Sequence, residues 1–256
     1  MSFKATYRTA AYRGRSRSGR AGRTNPVPSM KYELALRAGG AELIGGVDEV
    51  GVGAWAGPVA VGVVVLKPGT RLYKVRDSKL VDPARRQWLA ARVMERSLAW
   101  AVAFSWPEEI DRLGLSLAIK LAAERAIEGL ACRPDAFLVD GQWNFLNWEP
   151  PPERGTSGSF ISASPPCDSR TIVRGDSESV SIACASLIAK VRRDALMAML
   201  SSMYPYYRFD LNKGYPSPFH KWALAAFGPS PVHRRLFAPV RKLAEEGTPG
   251  RLLPAP

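Results

Sequence analysis

Hydrophobic and polar positions change period several times along this chain. Leu43 to Leu66 reads LIGGVDEVGVGAWAGPVAVGVVVL, a run whose only ionisable side chains are the adjacent Asp48 and Glu49. About 20 apolar residues can span a bilayer, but six glycines, Pro58 and a central acidic pair argue against a membrane helix here. The β-branched VAVGVVVL predicts a strand from Pro58 to Leu66, preceded by a short strand that ends at Val47, with the GVG and GP elements turning between them. KYELAL reads as an opening strand. Asp82 is placed to cap a helix through PARRQWLAARVMERSLAW, with Pro83 at the first helical position and Ala91, Met94 and Leu98 at helical spacing. A strand follows from Trp100 to Trp106, and Pro107 then opens a helical region that is weak at Gly114 and runs through LAIKLAAERAIEGL. AFLVD, Ala136 to Asp140, and RTIVRGD, Arg170 to Asp176, are further strands, and SVSIACASLIAKVRRDALMAML is a strong helix. The alternation predicts an α/β chain with mixed sheet connections.

This pattern places the acids. Asp48 and Glu49 fall at one strand end, Asp140 at another, and Asp176 at a strand-to-helix junction, where α/β folds commonly carry their chemistry. Neighbouring carboxylates in an apolar stretch are costly to desolvate and repel one another, which invites a cation, although an acidic hairpin tip open to water would look the same. Successive strand side chains alternate in direction, so Asp48 and Glu49 share a site only if the strand ends or bulges there, as Gly51 and Gly53 allow. Asp194 lies eighteen residues beyond Asp176, roughly 27 Å along a continuous helix, and reads as a structural partner for Arg192 or Arg193. Glu178 is a spare candidate. Four converging carboxylates without His or Cys suit Mg²⁺ or Mn²⁺. Two such ions about 3.5–4 Å apart serve phosphodiester cleavage.

Composition adds a substrate class. The 256 residues are 46% hydrophobic, enough for one domain plus tails, and the net charge of +13 points to a polyanionic partner, nucleic acid before membrane. Residues 1–30 hold seven Lys or Arg and no acid. They read as a disordered basic arm, although an organelle transit peptide has a similar make-up and Met30 is an alternative start. Cys132, Cys167 and Cys184 lack metal-ligand spacing, which fits a reducing, cytoplasmic setting. From Tyr204 to Trp222, aromatic residues interleave with Arg208, Lys213, His220 and Lys221, the mixture that stacks on sugars or bases while contacting phosphate; a connection packed on the core would share it.

Six blocks in order, GVDEVGVGAWAGPVAVGVVVL, DSKL, LVDG, RGDSESVSIACASLIAKVRRD, KGY and GPSPVHRRLFAPV, resemble ribonuclease HII over residues 31 to about 241. The resemblance implies a ribonuclease H-like mixed β-sheet flanked by helices, with a C-terminal helical extension. The implied division is an arm at 1–30, a catalytic domain at 31–200, a substrate-binding extension at 201–245 and a disordered tail at 246–256. It implies endonucleolytic cleavage of RNA in RNA/DNA hybrids and incision beside ribonucleotides embedded in duplex DNA, leaving 5′-phosphate and 3′-hydroxyl ends, in ribonucleotide excision repair. The metal-binding and catalytic set it assigns is Asp48, Glu49, Asp140 and Asp176, with two Mn²⁺ or Mg²⁺ ions during catalysis. Tyr215 matches a tyrosine that stacks on the sugar beside the scissile junction. Gly51, Val52 and Gly53 match the loop that reads the 2′-hydroxyl, and Ser78 and Lys79 match a segment placed to hold phosphate. His233, Arg234 and Arg235 match a basic segment that binds the strand or braces the C-terminal helices. The partners implied are RNA/DNA hybrid or ribonucleotide-containing duplex, with no membrane, and the chain is expected to act as a monomer.

Departures from the pattern concern recognition more than ligation. The family usually carries Arg between the two loop glycines, where this chain has Val52. The segment from Asn144 to about Arg170 is about twice the expected length and rich in Pro, Ser and Gly. Gln142, Trp143, Asn212 and Leu236 are smaller changes. Two alternatives to a working ribonuclease stand: a nucleic-acid-binding homologue with impaired turnover or altered junction specificity, and a small-molecule metallohydrolase.

Overall fold

The computed structural model describes residues 27–70, 72, 75, 82–147 and 168–245. Residues 1–26 of the arm, Ser78 and Lys79, Cys167, most of the long segment after Asn144 and the tail lie outside the described residues; the last residues of the arm, expected to be disordered, are instead held by a bridge between Ser29 and Ser179. Five strands form one mixed sheet in the order β3-β2-β1-β4-β5. They are β1 (Ile44–Val50), β2 (Val59–Leu66), β3 (Ser97–Ser105), β4 (Ala136–Asp140) and β5 (Asp168–Ile172). The β1–β2 and β2–β3 pairs are antiparallel, whereas β1–β4 and β4–β5 are parallel. Parallel pairing brings the C-terminal ends of β1, β4 and β5 to the same edge of the sheet, and the candidate acids lie at or just beyond those ends.

Several expectations change. KYELAL is not a strand but helix α1 (Lys31–Ala38). Its apparent alternation is misleading: Leu34 is 59% exposed, while Glu33 and Leu36, at helical spacing, are buried. Strand β1 does not end at Val47. It pairs onward without a bulge, Asp48 opposite Gly62 and Glu49 opposite Val61. Helix α2 (Pro83–Arg96) is capped by Asp82, whose carboxylate accepts the Arg85 N–H, but it stops before Ser97 because β3 already pairs there with Leu66. The helical region after Pro107 splits at Gly114, which has φ 81°, into α3 (Pro107–Leu113) and α4 (Leu115–Glu128). The segment expected as a strand from Arg170 to Asp176 ends its pairing at Ile172. Arg174 then turns left-handed, and Asp176 lies on the short helix α5 (Gly175–Glu178).

Helix α6 (Val180–Met203), capped by Ser179, packs on β1 and β2. Two glycines make that approach possible. A Cβ on Gly46 would collide with the Ser181 backbone, and one on Gly62 would press on the Ala185 carbonyl. Helix α4 covers the other face with Val47, Val59, Val61 and Val63. Beyond α6, a 3₁₀ turn (Pro205–Tyr207), α7 (Phe209–Asn212), α8 (Pro218–Phe227) and α9 (Ala238–Glu245) complete the described chain. Ala56, Met197, Leu200, Tyr207, Phe209 and Ala223 form a core that joins these C-terminal elements to α6 and to the β1–β2 connection. No helix among the described residues is long and apolar enough to cross a membrane.

Candidate active site

Because the β1 register is unbroken, Asp48 and Glu49 leave the strand on opposite faces. Asp48 follows Gly46 toward α6, where the Ser186 hydroxyl donates to it, and Glu49 follows Val47 toward the α4 side. Both nevertheless border one cleft of about 490 Å³ that wraps the strand's C-terminal end. Asp140, Gly51, Val52, Gly53, Ser186, Lys190 and Tyr215 also line its walls. Asp176 is not among the lining residues, but it acts on them: its charge raises the proton affinity of both Asp140 and Asp48. The Gly175 N–H donates to Asp140 Oδ1 at 2.6 Å, tying the end of β4 to the turn that carries Asp176.

Asp48 is 4% exposed. Burial holds its carboxyl well above the ordinary range, and the negative charges of Glu49, Asp140 and Asp176 add to the effect, with Ser186 opposing it. Asp140 is raised more mildly, by burial and then by Asp176, against three backbone N–H donors. This crowding of like charge is what a divalent cation relieves. The donor set, carboxylates without thiol or imidazole, fits a hard ion such as Mg²⁺ or Mn²⁺. Among the described residues no three potential ligands are drawn tightly enough to enclose an ion unaided. Mg²⁺ usually keeps several waters and takes only one or two carboxylates, so an open arrangement is compatible with it.

Two buried arginines hold the facing wall. Arg193 donates from Nε to the Pro58 carbonyl at 2.9 Å, from Nη1 to that of Lys213 at 3.0 Å and from Nη2 to that of Ala56 at 3.3 Å. Its guanidinium also lies 5.6 Å from the centre of the Tyr215 ring. Arg234 donates from Nε to the Gly57 carbonyl at 2.8 Å and from Nη1 to that of Val52 at 3.0 Å. Gly51 has φ 91° and packs so closely on Arg193 that a side chain there would strike the guanidinium. Main-chain bonds from Trp55 N–H to the Gly214 carbonyl and from Gly57 N–H to the Val232 carbonyl complete the seam.

The sequence reading missed Ser186, Lys190 and Arg193. Their signal is a polar line at helical spacing on an otherwise apolar face of α6. Asp194 pairs with Lys190 at 2.8 Å and Arg86 at 3.7 Å, not with the adjacent arginines, which leave the helix in other directions. Glu178 is taken by Lys31 at 3.0 Å. His220, expected to meet phosphate, is fully buried, and of the HRR segment only Arg235 is exposed. A larger hollow of about 930 Å³ opens near Asp135 and Cys132, but none of the four candidate acids borders it.

The family model for ribonuclease HII matches residues 45–240. The chain belongs to the ribonuclease HII family. Members of this enzyme family hydrolyse RNA in RNA/DNA hybrids. A ribonuclease HII of Thermus thermophilus is 46% identical over 198 residues, 77% of this chain and 87% of that protein. The crystal structure of ribonuclease H2 from Pyrococcus horikoshii OT3 superposes with a TM-score of 0.64 at 26% identity, covering 80% of this chain and 98% of that one. Bst-RNase HIII, solved in complex with Mn²⁺, shares the fold with a TM-score of 0.60 at 19% identity, over 83% of this chain and 72% of that one. The mixed sheet flanked by helices is therefore the ribonuclease H fold.

Proposed function

We propose that this chain is an endoribonuclease that cleaves the RNA strand of RNA/DNA hybrids and incises beside single ribonucleotides in duplex DNA. The observation that carries the reading is the single cleft that Asp48, Glu49 and Asp140 line together with Tyr215 and the Gly51–Gly53 loop. Asp48, Glu49, Asp140 and Asp176 would hold the divalent ions. Bound there, a pair of such ions supplies the positive charge that activates water and stabilises the leaving oxygen. The chain's own residues position the substrate. Tyr215, backed by Arg193, stacks on the sugar at the junction, and the clamped loop presents main-chain groups to the 2′-hydroxyl. Water adds to phosphorus as the bond to the 3′ oxygen breaks, leaving a 3′-hydroxyl and a 5′-phosphate. The basic surplus draws in the polyanion over a distance set by salt.

One observation favours a second reading, a binder with reduced turnover. Val52 packs on the core where an arginine is expected, so the loop offers an aliphatic side chain to the cleft. Incubating a labelled RNA/DNA hybrid with the protein and Mn²⁺ or Mg²⁺ separates the two. Metal-dependent cleavage that disappears in Asp140→Asn supports the nuclease, whereas retained binding without cleavage supports the second reading.

A further inference from the structure

The chain's two histidines are buried against one another behind Tyr215. Their Nε2 atoms are 3.0 Å apart, His220 is 0% exposed and His233 1%. The partners at either end fix the direction of every hydrogen bond. His220 Nδ1 lies 2.8 Å from the Tyr215 carbonyl, which only accepts, so that nitrogen carries a proton. His233 Nδ1 receives the Ser230 N–H at 3.0 Å, with Ser230 Oγ at 2.8 Å, so that nitrogen is bare. Neutral His233 then has its proton on Nε2 and donates it to the bare Nε2 of His220. The chain runs one way, from Ser230 through His233 and His220 to Tyr215.

The two rings sit in a largely aromatic surrounding. The β1–β2 connection contributes Trp55, the 3₁₀ turn Tyr207 and α7 Phe209, with ring centres 4.8–6.4 Å from the imidazoles. The charged groups nearby are Lys221 over Trp55, Arg193 over Tyr215, Arg234 next to His233 in sequence, and Asp111 of α3, whose carboxylate accepts the Arg235 and Leu236 N–H groups and not a ring nitrogen. The hydrogen-bond partners of both rings are neutral groups, with no carboxylate among them. Burial, and for His233 the neighbouring His220, oppose a second proton, which lowers His233 to about 3.

We infer that His233 and His220 form a positioning relay for Tyr215, a neutral one-directional chain that holds the Tyr215 main chain and so sets its ring at the cleft wall. The inference rests on the proposed role of Tyr215 in gripping substrate. Neither histidine touches substrate. The Tyr215 N–H donates to the Asn212 carbonyl at 2.9 Å and the Ser217 N–H donates to the Tyr215 carbonyl at 2.8 Å, while Arg193 lies over the ring, so His220 is the second donor to that carbonyl and the one that reaches it from behind.

Imidazole ¹⁵N NMR of the intact protein reads the relay directly, since the chain has only two histidines. The expected spectrum shows one ring protonated at Nδ1 and the other at Nε2, with the ring bare at Nδ1, His233, not titrating between pH 5 and 8. Two rings of the same tautomer, or a titration of His233 in that range, would overturn the relay. Kinetics on an RNA/DNA hybrid test its purpose. His220→Ala is expected to raise KM about 3- to 10-fold, the weight of one buried hydrogen bond, with kcat changed less than about twofold. His220→Asn, whose amide can replace the Nδ1 donor, is expected to restore KM, and His220→Ala is expected to add nothing in a Tyr215→Ala background. A KM rise in Tyr215→Ala but not in His220→Ala overturns the relay alone. An unchanged KM in Tyr215→Ala overturns the role proposed for Tyr215 itself.

Discussion

The Gly175 amide donates to Asp140 Oδ1 at 2.6 Å, so the acid at the end of β4 and the turn carrying Asp176 move as one piece. Their spacing is set by the main chain before any ion arrives. A Cβ at Gly175 would lie 2.5 Å from Ile182 Cδ1 and 3.1 Å from Asp140 Oδ1, wedging the two apart. Gly175→Ala is therefore expected to raise the Mn²⁺ or Mg²⁺ concentration needed for half-maximal cleavage by about 10- to 100-fold, as lost outer-shell support commonly does. A metal titration of activity checks it, and an unchanged midpoint would count against a preset pair.

Asp48 contributes one part of the pH dependence of stability. Its folded carboxyl holds a proton more tightly than the unfolded chain does, so stability falls as pH rises above the ordinary value of 3.8 and the penalty persists at neutral pH. Asp48→Asn removes the penalty. In EDTA at pH 7.5 the variant is expected to melt higher than the parent, each 1 kcal/mol recovered being worth about 2–4 °C in a chain of this size. Added Mn²⁺ should reverse the order. Calorimetry in both buffers decides, and a lower melting temperature in EDTA would contradict the electrostatic account.

His233 works in the opposite sense. Its folded value, about 3, lies below the ordinary 6.5, so the fold keeps it neutral where the unfolded chain takes up a proton. The stability it contributes is present above 6.5 and is lost as pH falls toward 3. Urea unfolding from pH 7 to pH 4 should therefore show the gap between parent and His233→Gln narrowing. A constant gap would mean that His233 titrates alike in both states.

If the Gly51–Gly53 loop reads the junction as proposed, Val52 limits that recognition. Placing a guanidinium between Gly51 and Gly53 is expected to add a charge-assisted contact of about 1.5–3 kcal/mol, or roughly 10- to 150-fold in kcat/KM at a single ribonucleotide. Val52 is only half-buried and lines the cleft, so a longer side chain there can turn into the cleft. Comparing parent and Val52→Arg on one duplex tests this, and equal rates with equal site preference would dismiss it.

Of the candidate acids only Asp140 lies where strand periodicity placed it, at the end of β4; Asp48 and Glu49 were expected beyond a strand that ends at Val47 but are paired within β1, and Asp176 lies on α5 past the end of β5. Helix α1 was not legible, because a short helix with Tyr32, Leu34 and Leu36 mimics alternation until Glu33 proves buried against Ser179 and Ser181. The supports behind the cleft were the least legible. Arg193, Arg234, His220 and His233 are polar residues buried without a carboxylate in hydrogen-bond contact, held by main-chain carbonyls, an amide and one another, with Nη2 of Arg234 left unpartnered. Hydropathy places such residues at the surface. Only the path of the chain through Pro58, Lys213 and Ser230 reveals their partners.

The most direct test is single-turnover incision of an end-labelled DNA duplex that carries one ribonucleotide, with Mn²⁺ or Mg²⁺, comparing the parent with Asp48→Asn. The account predicts metal-dependent incision at the ribonucleotide, leaving 3′-hydroxyl and 5′-phosphate ends, with the rate in the variant reduced beyond detection while duplex binding survives. Incision that persists in Asp48→Asn, or tight binding without incision by the parent, would contradict it.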